Sequence, residues 1–254
     1  MSFSSLGLSS HLLHALAKQH YTDPYPIQKE AIPAILSGKD VLGVAPTGSG
    51  KTASFALPIL QQFQKKPVAK NRFIKALILV PTRELAVQVG DVFTMFAAQL
   101  PRAVKILSVF GGVSINTQMI HLQGVELLVA TPGRLLDLID SKALNISEID
   151  ILVIDEADKM LNLGFKAEMT SIFSLLPIQR QNLLFSATLG KEINTITEIL
   201  LQNPVKIEVK EDLKHIDLIQ QMAYDVAEER KGPMLRYLIQ EKNMQQVLVF
   251  TSSI

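Results

Sequence analysis

Residues 45–52 read Ala-Pro-Thr-Gly-Ser-Gly-Lys-Thr. The run closes an apolar, β-branched stretch, Val41–Ala45, and opens a helical one, Thr52–Lys65. Glycines at that junction require a particular local fold. A strand ends, a tight loop turns its backbone N–H groups inward, and a helix begins with an N-terminus that favours anions. Gly48 and Gly50 permit the curl, Lys51 adds a compact positive charge, and Thr52 adds a hydroxyl suited to Mg²⁺. Ala45, Pro46, Thr47 and Ser49 complete the loop. Further on, Ile151–Ile154 leads into Asp155-Glu156-Ala157-Asp158. Adjacent carboxylates at a strand end point in different directions. Asp155 is expected to join Thr52 in holding a metal, and Glu156 to polarise an attacking water. The expected site therefore binds ATP with Mg²⁺, with Lys51, Asp155 and Glu156 as its catalytic set.

The rest of the chain has an α/β pattern. Strands are expected at Val41–Ala45, Ala76–Val80, Val104–Phe110, Glu126–Ala130, Ile151–Ile154, Asn182–Phe185, Val205–Val209 and Gln246–Phe250. Most are apolar at consecutive positions, as strands covered on both faces of a parallel sheet must be. Helices are expected at Ser9–His20, Pro26–Ser37, Thr52–Lys65, Arg83–Gln99, Ser114–Gln123, Arg134–Ser141, Gly164–Leu176, Lys191–Leu201 and Arg230–Lys242. Almost every polar or glycine-bearing cluster directly follows a strand. Ligands of open parallel sheets bind outside the carboxyl ends of the strands, so these clusters are expected along one edge.

Three of the clusters, Pro81-Thr82-Arg83, Gly111-Gly112 and Thr131-Pro132-Gly133-Arg134, combine arginines, hydroxyls and a helix start after proline. That chemistry suits a phosphodiester backbone. No aromatic residue interleaves them, so base stacking is not indicated. Ser186-Ala187-Thr188 offers hydroxyls to Asp158 or to a moving neighbour. The 254 residues are 48% hydrophobic and 19% charged with a formal net charge of +1, so nucleic acid would be met by a local surface and not by a global field. The chain has no cysteine, which excludes disulfides and thiolate metal sites, and its five histidines lack paired ligand spacing. The basic run Lys65, Lys66, Lys70, Arg72 and Lys75 is expected to keep a surface loop soluble. No apolar run approaches the roughly 20 residues that span a bilayer. A cytoplasmic protein without a membrane partner is expected.

Together these motifs resemble the DEAD-box family of ATP-dependent RNA helicases, in helicase superfamily 2, and look most like its bacterial RhlE-like branch. The resemblance runs in family order through Ala45–Thr52, Pro81–Ala86, Gly111-Gly112, Thr131–Arg134, Asp155–Asp158 and Ser186–Thr188, and continues in Val247–Thr251. It implies a RecA-like P-loop domain with a mostly parallel sheet flanked by helices. Residues 21–28, Tyr-Thr-Asp-Pro-Tyr-Pro-Ile-Gln, resemble the family's adenine-recognition element. Gln28 would then read the adenine edge and Tyr21 would stack on the ring, with Phe3 as the family's upstream aromatic. His20 stands where the family often has glycine, and Tyr25 where it often has threonine. RNA contacts are implied for Pro81, Thr82, Arg83, Gly111, Gly112, Thr131, Pro132, Gly133 and Arg134. Coupling between lobes is implied for Asp158, Ser186 and Thr188.

The expected organisation is an adenine-recognition region over 1–37, a first RecA-like lobe over 38–209, a linker over 210–217, and the truncated start of a second RecA-like lobe over 218–254. In the family, the second lobe supplies arginines that complete the ATPase site, and no matching motif lies in this sequence. The chain is therefore expected to bind ATP or ADP as a monomer, hydrolyse ATP weakly and not unwind RNA alone. The leading function is an RNA-stimulated ATPase of the helicase type. An ATP-gated RNA clamp without unwinding, and a DNA translocase of the same superfamily, are the alternatives.

Overall fold

The computed structural model describes residues 2–65, 73–209 and 220–251. Two compact units result, Met1–Glu211 and Asp212–Ile254. The first is built on seven strands: β1 (Val41–Val44), β2 (Ala76–Leu79), β3 (Ile106–Val109), β4 (Leu127–Ala130), β5 (Ile151–Ile154), β6 (Gln181–Ser186) and β7 (Val205–Glu208). They form one sheet in the order β3-β4-β2-β5-β6-β1-β7, and every pairing is parallel.

Consecutive apolar residues feed both faces of this sheet. Ala76 and Ile78 of β2, Leu127 and Val129 of β4, and Ile151 and Val153 of β5 enter one core. Their neighbours Leu77, Leu79, Leu128, Ala130, Leu152 and Ile154 enter the other. The first core is covered by α1 (Ser10–Lys18), α2 (Pro26–Leu36), α3 (Lys51–Gln64) and α4 (Arg83–Ala97). The second is covered by α5 (Ile115–His121), α6 (Pro132–Asp140), α7 (Ala157–Asn162), α8 (Lys166–Leu175) and α9 (Lys191–Leu200). Each fully buried Leu, Ile or Phe contributes about 1.5–3 kcal/mol, so this two-sided burial dominates the fold's stability.

Close packing fixes two details. Gly43 of β1 lies against the ring of Phe185, which in turn packs on Phe55 at 5.2 Å between centroids. The buried Asp40 carboxylate accepts hydrogen bonds from the backbone N–H groups of Asn182 and Gln202, both at 2.8 Å. It thereby ties the start of β1 to β6 and to the segment leading into β7.

The strand register aligns the carboxyl ends. Leu79 pairs with Ala130 and Ile154, Val109 with Ala130, and Val44 with Ser186. The clusters that follow these residues therefore emerge side by side.

One sequence expectation needs correction, and one element was not expected. The expected helix Gly164–Leu176 is α8, and a separate short helix, α7, precedes it. The expected strand Gln246–Phe250 is not a strand: the segment has no partner strand among the described residues, and Leu248 and Phe250 are 79% and 87% exposed. An isolated apolar run gains neither ladder hydrogen bonds nor a covered face, so β-propensity alone does not make it a strand. The second unit contains α10 (Lys231–Glu241), preceded by a 3₁₀ turn at Glu228–Arg230. The expected linker over 210–217 and Lys66, Lys70 and Arg72 of the basic run lie outside the described residues.

Candidate functional site

The loop between β1 and α3 carries Gly48 at φ 84° and Gly50 at φ 85°, both in the left-handed region. A Cβ on Gly48 would meet nothing within 4 Å, whereas one on Gly50 would lie 2.5 Å from Gln28 Nε2. Gly50 is thus required by both conformation and space. Lys51, 7% exposed, donates from Nζ to the carbonyls of Ala45 (2.6 Å) and Pro46 (3.2 Å). Its ammonium is held in the mouth of the loop by these two carbonyls.

Facing it, Asp155 leaves β5 with its carboxylate 4% exposed, and Oδ1 accepts from the Glu156 N–H at 3.0 Å. Burial pushes the Asp155 carboxyl up from 3.8 to about 6; Lys51 opposes the rise and the Glu156 charge adds to it. Glu156 itself adopts φ 53°, ψ 49°. A non-glycine residue there costs on the order of 1–3 kcal/mol, and such strain tends to be kept where a side chain must be aimed. Lys159, one turn along α7, pairs with the Glu156 carboxylate at 2.7 Å. Thr188 donates from Oγ1 to Asp158 at 3.0 Å, and Ser186 Oγ donates to the Thr188 carbonyl at 2.8 Å. The acidic run is therefore tied physically to the end of β6.

A cavity of about 530 Å³ joins Lys51, Asp155 and Glu156. Thr47, Gly48, Gly50, Lys51 and Thr52 line it together with Asp155 and Glu156. His20, Tyr21, Asp23 and Tyr25 line it as well. The Tyr21 ring is wedged edge-on between Phe3 and Phe96, with centroids 6.4 and 5.7 Å away. Gln28 is fully buried, accepting at Oε1 from the Tyr25 N–H (2.9 Å) and donating from Nε2 to the Gly50 carbonyl (3.1 Å). It links the Tyr21–Tyr25 segment to the glycine loop. His20 turns the chain at φ 59°, which explains why glycine suits that position.

Along the same sheet edge, Thr82 caps α4 by accepting from the Leu85 N–H at 3.3 Å. Arg83 is exposed, its guanidinium 5.0 Å from the centre of the Phe110 ring. Gly111 and Gly112 are exposed, with Gly112 at φ 82°. Thr131 and Pro132 are buried at the start of α6, with Gly133 half-buried beside them. Arg134 differs from the outward side chain expected of a ligand contact. It is 9% exposed and turned inward, with bonds to Gln118, the Val113 carbonyl and Asp137.

Sequence reasoning missed Gln88, Val89 and Val92 of α4, which line the cavity, as well as Lys159 and Gln118. The spacing of Gln88 and Val92 on one helical face was the available signal. Among the described residues no group of three or more His, Cys, Asp or Glu could hold a metal on its own. The donors present, Thr52 and Asp155, fit a magnesium ion whose remaining ligands are phosphate oxygens and water.

Comparison with known proteins gives a consistent result. The family described as DEAD/DEAH box helicase matches residues 25–196. "ATP-dependent RNA helicase DeaD" of Buchnera aphidicola subsp. Baizongia pistaciae is 40% identical over 239 residues, covering 94% of this chain and 39% of that protein. "DEAD-box ATP-dependent RNA helicase CshA" of Streptococcus pneumoniae serotype 4 is 39% identical over 251 residues, 98% of this chain and 47% of that one. A crystal structure of a DEAD box protein from the hyperthermophile Methanococcus jannaschii superposes with a TM-score of 0.76 at 34% identity, covering 94% of this chain and 63% of that chain. The parallel sheet flanked by helices is thus of the RecA-like type. The chain spans 39 to 47% of the length of the two curated relatives. Their names, DeaD and CshA, do not carry the finer placement on an RhlE-like branch.

Proposed function

Because the chain belongs to the DEAD/DEAH box helicase family, we propose that it forms the nucleotide-binding part of an RNA-stimulated ATPase that opens or remodels RNA duplexes locally. One observation carries this reading. The glycine loop, Lys51, Thr52, Asp155 and Glu156 line one cavity, and the clusters at Arg83, Gly111-Gly112 and Thr131–Gly133 follow strands of the same aligned edge, with Arg83, Gly111 and Gly112 exposed.

Bound ATP and Mg²⁺ would supply the phosphoanhydride and the charge that this site is equipped to hold. Lys51 would exchange its two carbonyl partners for phosphate oxygens, and the loop N–H groups would join it. Thr52 and Asp155 would hold the ion. Glu156 would orient and polarise the attacking water. Tyr21 would meet the base, and Gln28, buried behind the cavity lining, would read the adenine edge by exchanging its bonds to Tyr25 and Gly50 for the base. The bond from Thr188 to Asp158 would pass a change at the acidic run to the end of β6, supporting a coupling role for Asp158, Ser186 and Thr188. RNA would be met through phosphates and sugars, with little sequence preference.

The proposal extends to the domains. Residues 1–37 recognise adenine, 38–209 form the first lobe, and 218–254 begin a second. This chain alone would bind ATP or ADP as a monomer and turn ATP over slowly, because the family's second-lobe arginines complete the site. A cytoplasmic location is part of the proposal; no helix of the described residues is long and apolar enough to cross a membrane. The clamp reading is second, and the Glu156 carboxylate at the cavity favours hydrolysis over it. Calorimetry with ATP and Lys51→Ala tests the site: binding should be lost with the thermal transition retained. Unchanged affinity would remove the assignment.

A further inference from the structure

The Gly111-Gly112 loop is held at both ends by side chains from behind. Before the glycines, the Phe110 carbonyl accepts from Gln118 Nε2 of α5 at 3.1 Å. After them, the Val113 carbonyl accepts from Arg134 Nη2 of α6 at 2.9 Å. The two side chains are joined to each other, Arg134 Nη1 donating to Gln118 Oε1 at 2.9 Å. Asp137 completes the set, its Oδ2 accepting from Arg134 Nε at 3.3 Å. Gln118 is 7% and Arg134 9% exposed, whereas the loop they hold is exposed. A Cβ on Gly111 or Gly112 would meet nothing within 4 Å, so no neighbouring group packs on that side of either glycine.

We infer that Gln118 and Arg134 form a buried clamp that sets the Gly111-Gly112 backbone for RNA, so that both control RNA affinity without touching RNA. The inference rests on the proposed reading of this loop as an RNA surface. Three hydrogen bonds engage all three guanidinium nitrogens, and one of them goes to a carboxylate. To reach a phosphate, Arg134 would have to leave a carboxylate and a buried amide, and losing those bonds would offset the attraction of the phosphate. Left in place, it holds one carbonyl and orients the amide that holds the other. Phe110, whose carbonyl is clamped, also lies beneath Arg83, so the same device sets the exposed cation beside the loop.

The test separates a positioning role from a phosphate contact by its salt dependence. Binding of a fluorescein-labelled single-stranded RNA is measured by anisotropy across a potassium chloride series, for the chain and for Gln118→Leu, Arg134→Gln and Arg83→Gln. Removing a cation that neutralises a phosphate lowers the slope of log K against log salt by about 0.7 for a single strand. Arg83→Gln should show that loss. Gln118→Leu and Arg134→Gln should each weaken binding by roughly fivefold or more at fixed salt, with the wild-type slope. ADP affinity should stay at the wild-type value in both. The double variant should bind no worse than the weaker single one, as groups acting as a unit do.

Amide hydrogen exchange at residues 111–114 gives a readout without RNA: both clamp variants should exchange faster there. Gln118→Glu keeps the acceptor for Arg134 and removes the donor to Phe110. It therefore replaces Gln118→Leu if the latter fails to fold, and should show the same faster exchange. A reduced salt slope in Arg134→Gln would make Arg134 a direct contact and overturn the inference. Unchanged exchange in the clamp variants would overturn it as well, whatever RNA does. Faster exchange with wild-type RNA binding in all variants, Arg83→Gln included, would remove the RNA reading of the loop and the inference with it.

Discussion

Asp155→Asn should make the nucleotide-free protein more stable, and the gain should grow with pH. Asp155 is 4% exposed and its carboxyl is raised from 3.8 to about 6, chiefly by burial. A folded state that holds its proton to a higher pH than the unfolded state loses stability as pH rises through that window. The loss begins near pH 4 and is complete above pH 6. Linkage between those two values gives a cost of about 1 kcal/mol at pH 4.5 and about 3 kcal/mol at pH 7.5. Asparagine has nearly the same shape and carries no charge, so it removes the cost. Urea unfolding of both proteins at the two pH values is the assay. Taking the difference between wild type and variant at each pH cancels the titration of other groups. A thermal scan at pH 7.5 should show the same gain, with the variant's melting temperature higher by roughly 6–12 °C, given about 2–4 °C per kcal/mol for a chain this size. Parallel stability profiles for the two proteins would refute the reasoning. The ionised carboxylate is also the form a divalent cation needs, so the site sets stability against function.

Two further substitutions test the packing and backbone arguments. Gly43→Ala would place a Cβ 2.6 Å from two ring atoms of the buried Phe185, and should destabilise by about 1–3 kcal/mol at constant m in urea unfolding; a neutral result would contradict the close packing. His20→Gly relieves a residue at φ 59° and should stabilise the chain by about 1 kcal/mol, read from the same unfolding curves; an unchanged or lower midpoint would show that His20 is not strained.

The parts of the structure legible in the sequence are those written in local order. The glycine loop, Lys51 and Thr52 lie within one turn of chain, and their strand-to-helix setting follows from flanking apolar runs. The same is true of Asp155 after Ile151–Ile154. The shared edge was legible because each cluster followed a strand, and parallel register then aligned the ends. Elements that depend on partners were less legible. Helix α7 has six residues, too few to show a helical period, and its start at Glu156 lies in a left-handed conformation that no glycine announces. Val247 to Phe250 has strand composition without a strand to pair with among the described residues. The inward turn of Arg134 depends on Gln118, sixteen residues earlier in the chain and on another helix, so an arginine after Thr-Pro-Gly reads as an outward ligand. His20 turns the chain without a glycine, so nothing in its identity marks the bend.

Phosphate release from ATP by the full-length protein tests the proposed function most directly, measured without nucleic acid, with single-stranded RNA and with DNA of matched sequence. Glu156→Gln serves as the control that should bind ATP and release no phosphate above background. An RNA-stimulated ATPase predicts acceleration by RNA, little by DNA, and loss of both basal and stimulated rates in Glu156→Gln. Equal rates with and without RNA, or normal turnover by Glu156→Gln, would contradict it.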